Sequence, residues 1–131
     1  ALNLEDHVSI YLDISQEAKR EMFLKSDLYI QPSWCEGFGN AVLEAMSHGL
    51  PALVSRYTAQ PEVVGSTGLI AMQMTSDSIF NKLLEFLEMS DEKRADMARA
   101  VINHVEKEFS FSTRLTTLKD IFVSSSDRII Q

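Results

Sequence analysis

Residues 32–51 read PSWCEGFGNAVLEAMSHGLP, and this stretch sets the expected fold. A strand is predicted to end at Pro32, because proline cannot continue a central strand. A short loop that contains glycine follows, and apolar residues then recur at helical spacing. The helix is predicted over residues 38–48, with Gly49 as its C-terminal cap. The inner face of this helix is predicted to hold Phe38, Ala41, Val42, Ala45 and Met46.

Predicted strands and helices alternate along the rest of the chain. Strands are predicted at residues 8–12, 28–30, 52–54 and 68–71. Helices are predicted at residues 15–25, 38–48, 76–89, 91–108 and 113–123. Because helices separate most of the strands, we expect an α/β, Rossmann-like parallel sheet with helices on both faces. The 131 residues are expected to form a single domain over 1–131.

Polar residues precede three of these helices and predict their starts. Ser15 is predicted to cap the first helix. Ser76 or Asp77 is predicted to cap the helix that ends near residue 89, and Asp91 the next one. The inner face of the first helix is predicted to hold Ala18, Met22 and Phe23.

Composition excludes several classes of function. The formal net charge of −7 argues against nucleic acid or an anionic membrane as a partner. No apolar run reaches the roughly 18–20 residues that a transmembrane helix needs. Cys35 is the only cysteine, so no internal disulfide can form and a cytoplasmic location is expected. No His/Cys/Asp spacing typical of metal ligands is present.

The loop at residues 33–37 is the place where chemistry is expected. Loops that follow parallel strands and lead into helices bind ligands in α/β sheets. The backbone N–H groups at residues 38–41 and the helix dipole would favour an anion, most simply a phosphate. Gly37 and Gly39 carry no side chain, so a ligand can approach the backbone closely.

Two carboxylates flank this expected phosphate site. Glu36 lies just before the helix and Glu44 lies inside it. A fully helical segment would separate them by about 12 Å, too far for a paired general acid and base. A carboxylate can instead accept two hydrogen bonds from a vicinal diol. The pattern therefore suits a nucleotide-sugar, although Glu44 alone could be a solvated residue and Glu36 could merely complement the helix dipole.

The same residues resemble a known family. The segments DLYIQPS (27–33), EGFG (36–39) and LEAM (43–46) closely resemble the donor-binding motif of family 4 glycosyltransferases, which have the GT-B fold. Glu36 and Glu44 stand at the spacing of that family's two glutamates. The resemblance continues through residues 49–51, 60–64 and 68–70, and the phenylalanines at 109 and 111 are similar to the family's C-terminal end.

The resemblance implies roles for individual residues. Glu36, Gly37, Phe38 and Gly39 would bind the donor sugar, and Asn40, Ala41 and Val42 the diphosphate. Glu44 would bind the nucleotide ribose. The implied enzyme transfers a hexose from a nucleotide-diphosphate sugar to a glycan or lipid-linked acceptor, retains the anomeric configuration and needs no metal.

Departures from the family pattern limit what the chain is expected to do. Two strands, a glycine-rich turn and an Arg/Lys pair of the family's donor domain are not matched, and neither is the N-terminal acceptor domain. The chain therefore resembles a truncated donor domain that is inactive alone. The segment 8–12 would lack its usual neighbour, so we expect it to pair beside residues 28–30 or with a second copy of the chain.

Two other functions remain open from sequence. One is a binding or interaction module that keeps the fold without transfer activity. The other is a sugar-nucleotide epimerase of GT-B architecture, which the spacing of Glu36 and Glu44 disfavours.

Overall fold

Three parallel strands form the sheet of the computed structural model, which describes residues 4–117. The strands are β1 (Tyr29–Gln31), β2 (Ala52–Ser55) and β3 (Leu69–Ala71), and they lie in the order β1-β2-β3. Tyr29 pairs with Ala52 and Leu53 pairs with Leu69. This pairing confirms the predicted Rossmann-like parallel sheet. Consecutive strands can run parallel here because helical crossovers connect them.

Except for the short helix at residues 60–64, the helices fall close to their predicted positions. They are α1 (Gln16–Lys25), α2 (Asn40–Ser47), α3 (Gln60–Val64), α4 (Ser76–Leu87) and α5 (Asp91–Phe109), with a 3₁₀ turn at Gly65–Thr67. Residues 111–117 are also helical. The remainder of the helix predicted at 113–123 lies outside the described residues. Among residues 4–117, no helix is both long and apolar enough to cross a membrane.

The central strand β2 is buried on both faces. Ala52 and Val54 pack with Val42 and Met46 of α2 and with Val101 of α5. On the opposite face, β2 and β3 pack against α4, and the buried residues there are Leu53, Leu69, Ala71 and Phe86. Helices therefore cover both faces of the sheet, as predicted. This double burial explains why the strand is a continuous apolar run rather than an alternating one.

The C-terminal end of α2 is closed by a Schellman motif. Gly49 has a left-handed backbone with φ of 78°, and its N–H donates to the carbonyl of Met46 at 2.9 Å. The N–H of Leu50 donates to the carbonyl of Ala45 at 3.3 Å. These bonds satisfy carbonyl groups that a helix end leaves free. The predicted cap at Gly49 is confirmed.

The strand predicted at 8–12 is wrong. These residues form no strand in the described part of the chain, and their side chains are exposed, with Ile10 and Leu12 both at 82%. A strand needs a hydrogen-bonded neighbour, and none of the described residues provides one here. The expected pairing beside residues 28–30 is therefore also wrong, whereas pairing with a second copy stays a prediction.

For two helices, the prediction of which residues face the core is partly wrong as well. Ala18 and Met22 are exposed, and α1 contacts the sheet through Phe23, whose ring lies 5.9 Å from that of Tyr29. Phe38 and Ala41 are also exposed. The reason at Phe38 is that α2 begins two residues later than predicted, after Gly39 takes a φ of 86° that a helix cannot continue.

The predicted caps of α4 and α5 are each displaced by one residue or more. The N-cap of α4 is Thr75, not Ser76 or Asp77, and its hydroxyl accepts a hydrogen bond from the N–H of Ser78 at 3.2 Å. The N-cap of α5 is Ser90, not Asp91. A hydroxyl and a carboxylate are both good caps, so adjacent polar residues leave the choice open in sequence. Ser15 caps α1 as predicted.

Replacing Gly49 by alanine is expected to destabilise the chain by about 1–2 kcal/mol. An alanine would have to keep the left-handed backbone, and its Cβ would lie 3.1 Å from Ile102 Cδ1. The measurement is the free energy of unfolding in urea. Gly37→Ala is the matched control, because no atom lies within 4 Å of its new Cβ. Equal stability of the two variants would contradict the role of Gly49.

Candidate functional site

The loops after β1 and β2 meet at one edge of the sheet. Both strands are parallel neighbours, so their carboxyl ends lie side by side. The hydroxyl of Ser55, the last residue of β2, donates to the backbone carbonyl of Ser33 in the first loop at 2.5 Å. This bond fixes the two loops together and forms the rigid base of the candidate site.

The N-terminus of α2 projects into this edge without a side-chain cap. Its N-cap residue is Gly39, and the first intrahelical bond runs from the N–H of Leu43 to the carbonyl of Gly39 at 3.1 Å. The N–H groups of Asn40, Ala41 and Val42 therefore have no acceptor within the helix. By contrast, hydroxyl groups cap α1, α4 and α5. No acidic residue lies in the first turn of α2, so this end of the helix favours an anion.

Glu36 is held in the loop before α2 by neutral partners. Its Oε1 accepts hydrogen bonds from Gln31 Nε2 at 2.9 Å and from Ser33 Oγ at 3.1 Å. Gln31 in turn accepts a bond from the hydroxyl of Tyr29 at 2.7 Å. Both bonds to Glu36 use the same oxygen, which leaves Oε2 available to the hydroxyl groups of a ligand.

Glu44 has a different environment on the outer side of α2. It forms an ion pair with Lys19 of α1, whose Nζ lies 2.7 Å from Oε1 and 2.9 Å from Oε2. The Glu44 side chain is 39% exposed, so it remains open to a ligand. A carboxylate accepts about four hydrogen bonds, so the ammonium group of Lys19 orients Glu44 without using all of its capacity.

Tyr29 lies between the two glutamates. Burial raises the pKa of its hydroxyl, and the negative charges of Glu36 and then Glu44 raise this pKa further. Each carboxylate disfavours a phenolate nearby because like charges repel. The two carboxylates therefore share one electrostatic environment, although one lies in a loop and the other in a helix.

Gln60 lies beneath the glycine at the start of α2. It is completely buried, and its Cγ would lie 3.7 Å from a Cβ placed on Gly39. Its Oε1 is 3.0 Å from Ser55 Oγ, while its buried Nε2 has no partner among the described residues. A buried amide nitrogen without a partner is costly, so Nε2 calls for an acceptor that the described residues do not supply.

The predicted site residues lie in one contiguous stretch of the chain, from the loop after β1 to the second turn of α2. Glu36, Gly37 and Phe38 lie in the loop, Gly39 begins α2, and the remaining four occupy its first two turns: Asn40, Ala41, Val42 and Glu44. The side chain of Val42 is fully buried, so it can contribute only its backbone N–H. The ring of Phe38 lies 5.9 Å from that of Phe109, and the Cζ of Arg114 lies 5.5 Å from its centroid.

Several residues support this site in ways that were not predicted from sequence, although Ser33 lies in the expected loop and Gln31 and Gln60 lie in segments that resemble the family. These supporting residues are Lys19, Gln31, Ser33, Ser55 and Gln60, all of which support the two glutamates or the loop between them. A polar residue at the end of an apolar strand was the available signal for Gln31 and Ser55. Nothing local in the sequence indicates that Lys19 reaches Glu44.

The fold and the N-terminus of α2 are consistent with the family that the comparisons identify. In parallel α/β sheets, an uncapped helix N-terminus that follows a strand favours anionic ligands. The family model described as "Glycosyl transferases group 1" matches residues 1–104. The chain belongs to this family.

Similar proteins carry transferase and synthase names. The chain is 35% identical over 95 residues to the O-antigen chain mannosyltransferase B of Escherichia coli. The matched region covers 72% of this chain and 24% of that relative. It is 31% identical over 118 residues to the sucrose synthase of Melioribacter roseus, covering 84% of this chain and 15% of the relative.

A third similar protein is also from Escherichia coli. It is the UDP-Gal:alpha-D-GlcNAc-diphosphoundecaprenol alpha-1,3-galactosyltransferase, 30% identical over 101 residues, which are 75% of this chain and 25% of that protein. The chain thus spans about a quarter or less of the length of these relatives.

Potential metal ligands do not gather in the described structure. Within residues 4–117 there is no group of three or more His, Cys, Asp or Glu side chains that could hold a metal ion.

Replacing Glu36 by glutamine is expected to lower the pKa of Tyr29, and Glu44→Gln is expected to lower it by less. Each change removes a negative charge that disfavours the phenolate, and Glu36 has the larger effect. The measurement is a pH titration of the ¹³Cζ signal of labelled tyrosine. Glu106→Gln, at an exposed position of α5, is the control and should leave the pKa unchanged.

The direction of the accompanying stability change follows from the same pKa. Because the folded-state pKa of Tyr29 is raised, its contribution to stability is present below about pH 10 and is lost as the pH rises further. A Tyr29 pKa that is insensitive to both glutamine variants would show that the carboxylates do not face the hydroxyl as described.

Proposed function

We propose that this chain binds the nucleotide-diphosphate sugar donor of a retaining hexosyltransferase. The observation that carries the proposal is the uncapped N-terminus of α2 between Glu36 and Glu44. The free N–H groups of Asn40, Ala41 and Val42 would hold the diphosphate. Glu44 would accept hydrogen bonds from the ribose diol, and Glu36 would accept them from the hydroxyl groups of the sugar.

The different partners of the two glutamates support this assignment. Glu36 is fixed by two neutral donors on one oxygen, so the other oxygen and its negative charge remain for sugar hydroxyl groups. Glu44 is oriented by Lys19 at the α1 side of the site. Ribose, diphosphate and sugar follow one another in the donor, and the three binding groups follow one another along the loop and α2 in the matching order.

The reaction proposed for the whole protein is transfer with retention. A hydroxyl group of a glycan or lipid-linked acceptor attacks the anomeric carbon from the side of the leaving group. The new C–O bond forms as the bond to the diphosphate breaks, and the hydroxyl proton leaves with the diphosphate. The mannosyltransferase and galactosyltransferase names of two relatives support a hexosyl donor.

The same proposal covers the cellular location of the protein, its need for cofactors and what the chain does alone. We place the protein in the cytoplasm, with no metal and no cofactor, and with the greater part of the acceptor site outside this chain. The chain alone is proposed to bind donor without transferring its sugar. The exposed single Cys35 suits a reducing compartment.

Calorimetric titration of the chain with UDP, GDP and ADP tests the donor site. One nucleotide is expected to bind, and Glu44→Gln is expected to weaken that binding at least about tenfold, because a charged acceptor contributes roughly 1.5–3 kcal/mol. Glu106→Gln is the matched control, since this exposed glutamate lies on α5 outside the site. No nucleotide binding by a well-folded chain would contradict the proposal and favour a non-catalytic module.

A substitution at the start of α2 should change stability and affinity in opposite directions. Asn40→Asp places a negative charge in a first turn that has none, so it is expected to stabilise the helix by about 0.3–1 kcal/mol. The same charge is expected to weaken nucleotide binding by repelling the phosphates. Urea unfolding and calorimetry measure the two effects. Unchanged affinity in a stabilised variant would place the anion elsewhere.

A further inference from the structure

An exposed aromatic ring and a half-buried one lie together at the loop that holds Glu36. Trp34 in the first loop and Tyr57 in the second have ring centroids 4.7 Å apart, with an angle of 34° between their planes. Trp34 is 65% exposed, and it is the only tryptophan in the chain. A large aromatic side chain left in solvent on a short loop is informative, because such surface is usually buried or used for binding.

A cation completes this group of residues. The Cζ of Arg56 lies 5.4 Å from the centroid of the Tyr57 ring. Arg56 is exposed, and within residues 4–117 it forms no ion pair. Its guanidinium group therefore keeps its N–H donors for a ligand while it stacks over the aromatic ring.

The position of this group is fixed by the sheet. Trp34 follows β1, Arg56 and Tyr57 follow β2, and the bond between Ser55 and Ser33 joins the two loops. Glu44 and Lys19 lie on the α1 side of the site. Trp34 lies two residues before Glu36 in the first loop, and Tyr57 packs against it from the loop after β2. They are thus placed next to the end of the site that the proposed function assigns to sugar.

We propose that Trp34, Tyr57 and Arg56 form a platform that binds a pyranose ring beside Glu36. The C–H face of a pyranose is apolar and slightly positive, so it complements the negative face of an aromatic ring. Arg56 would donate hydrogen bonds to the hydroxyl groups at the rim of the sugar. The choice of a sugar rather than a nucleobase rests on the proposed function, because that function places the base beyond Glu44 at the opposite end.

The pyranose can come from either of two sources. It can be the sugar of the donor or a sugar of a saccharide acceptor, and the platform offers both the same chemistry. Methyl α-mannopyranoside, methyl α-glucopyranoside and methyl α-galactopyranoside represent the acceptor. GDP-mannose and UDP-glucose represent the donor, with GDP and UDP as the matched ligands without a sugar.

Fluorescence of Trp34 reports directly on the platform, since no other tryptophan is present. We expect a saturable change in emission with at least one of these pyranosides or nucleotide-sugars. Tyr57→Ala is expected to weaken that binding about three- to tenfold, while Tyr57→Phe keeps it within about twofold because the stacking face is retained. Phe80→Ala, at an exposed aromatic of α4, is the control and should have no effect.

The two sources give different results, and either supports the platform. Emission that responds to free pyranosides assigns it to an acceptor sugar. Emission that responds to a nucleotide-sugar but not to its nucleotide assigns it to the donor sugar. The platform is overturned if no pyranose changes Trp34 emission, or if Tyr57→Ala binds every sugar as well as the unmodified chain does.

Calorimetry separates this failure from failure of the proposed function. In one outcome, the nucleotide binds, Glu44→Gln weakens its binding, Tyr57→Ala does not, and no pyranose changes Trp34 emission. This outcome would support the donor site and contradict the platform. In the other outcome, a pyranoside binds, Tyr57→Ala weakens its binding, and no nucleotide binds. This outcome would support the platform and contradict the proposed donor site.

Discussion

Burial of β2 on both faces is the constraint on which the rest of the structure depends. Ala52 and Val54 face one layer of helices and Leu53 faces the other. A strand buried in this way must have parallel neighbours and helical connections, because helices are needed to cover each face. The loops after β1 and β2 are then forced to the same edge of the sheet. The hydrogen bond from Ser55 to Ser33 is a direct result of that geometry.

The start of α2 lacks the stabilising side-chain cap that the other long helices have. A hydroxyl cap is present on α1, α4 and α5, whereas α2 begins with Gly39 and has no side-chain cap. The amide nitrogen of Gln60 is buried below it without a partner in the described structure. Features that break local rules in an otherwise well-packed chain are expected where a ligand completes them. The Schellman motif at the other end of α2 and the buried face of this helix compensate for the open end.

Most of the sheet and its covering helices could be predicted because their signals are local. The run at 52–54, the Gly49 stop and the helical spacing of Val42, Ala45 and Met46 all lie within short windows of sequence. The segment 8–12 has an equally good strand pattern, but the prediction of a strand there was wrong because strand pairing depends on distant residues. An alternating pattern shows that residues suit a strand but not that a neighbour exists. The prediction of the buried face of α1 was partly wrong for a related reason. Periodicity cannot show how much of the sheet is available for a helix to pack against.

The site shows the same division between local and non-local information. The loop, the helix start and the two glutamates were visible in sequence, since they are contiguous. Their supporting partners come from distant segments: Lys19 is 25 positions from Glu44, and Ser55 is 22 positions from Ser33. Only the fold brings these residues together, so no motif could have indicated that one glutamate has neutral partners and the other a cation.

The same non-local assembly changes the charge balance of the site. The chain has a net charge of −7, and both flanking glutamates would repel a diphosphate, so sequence alone offers little positive charge there. In the structure, Lys19 offsets Glu44, and two arginines border the site over aromatic rings, Arg56 over Tyr57 and Arg114 over Phe38. Backbone N–H groups at α2 add the dipole of the helix. These groups suit the binding of a diphosphate in its ground state. A leaving diphosphate needs donors and cations directed at the charge that develops on it, which is a stricter requirement. Binding and transfer are therefore separable demands, and the proposed donor site concerns the first.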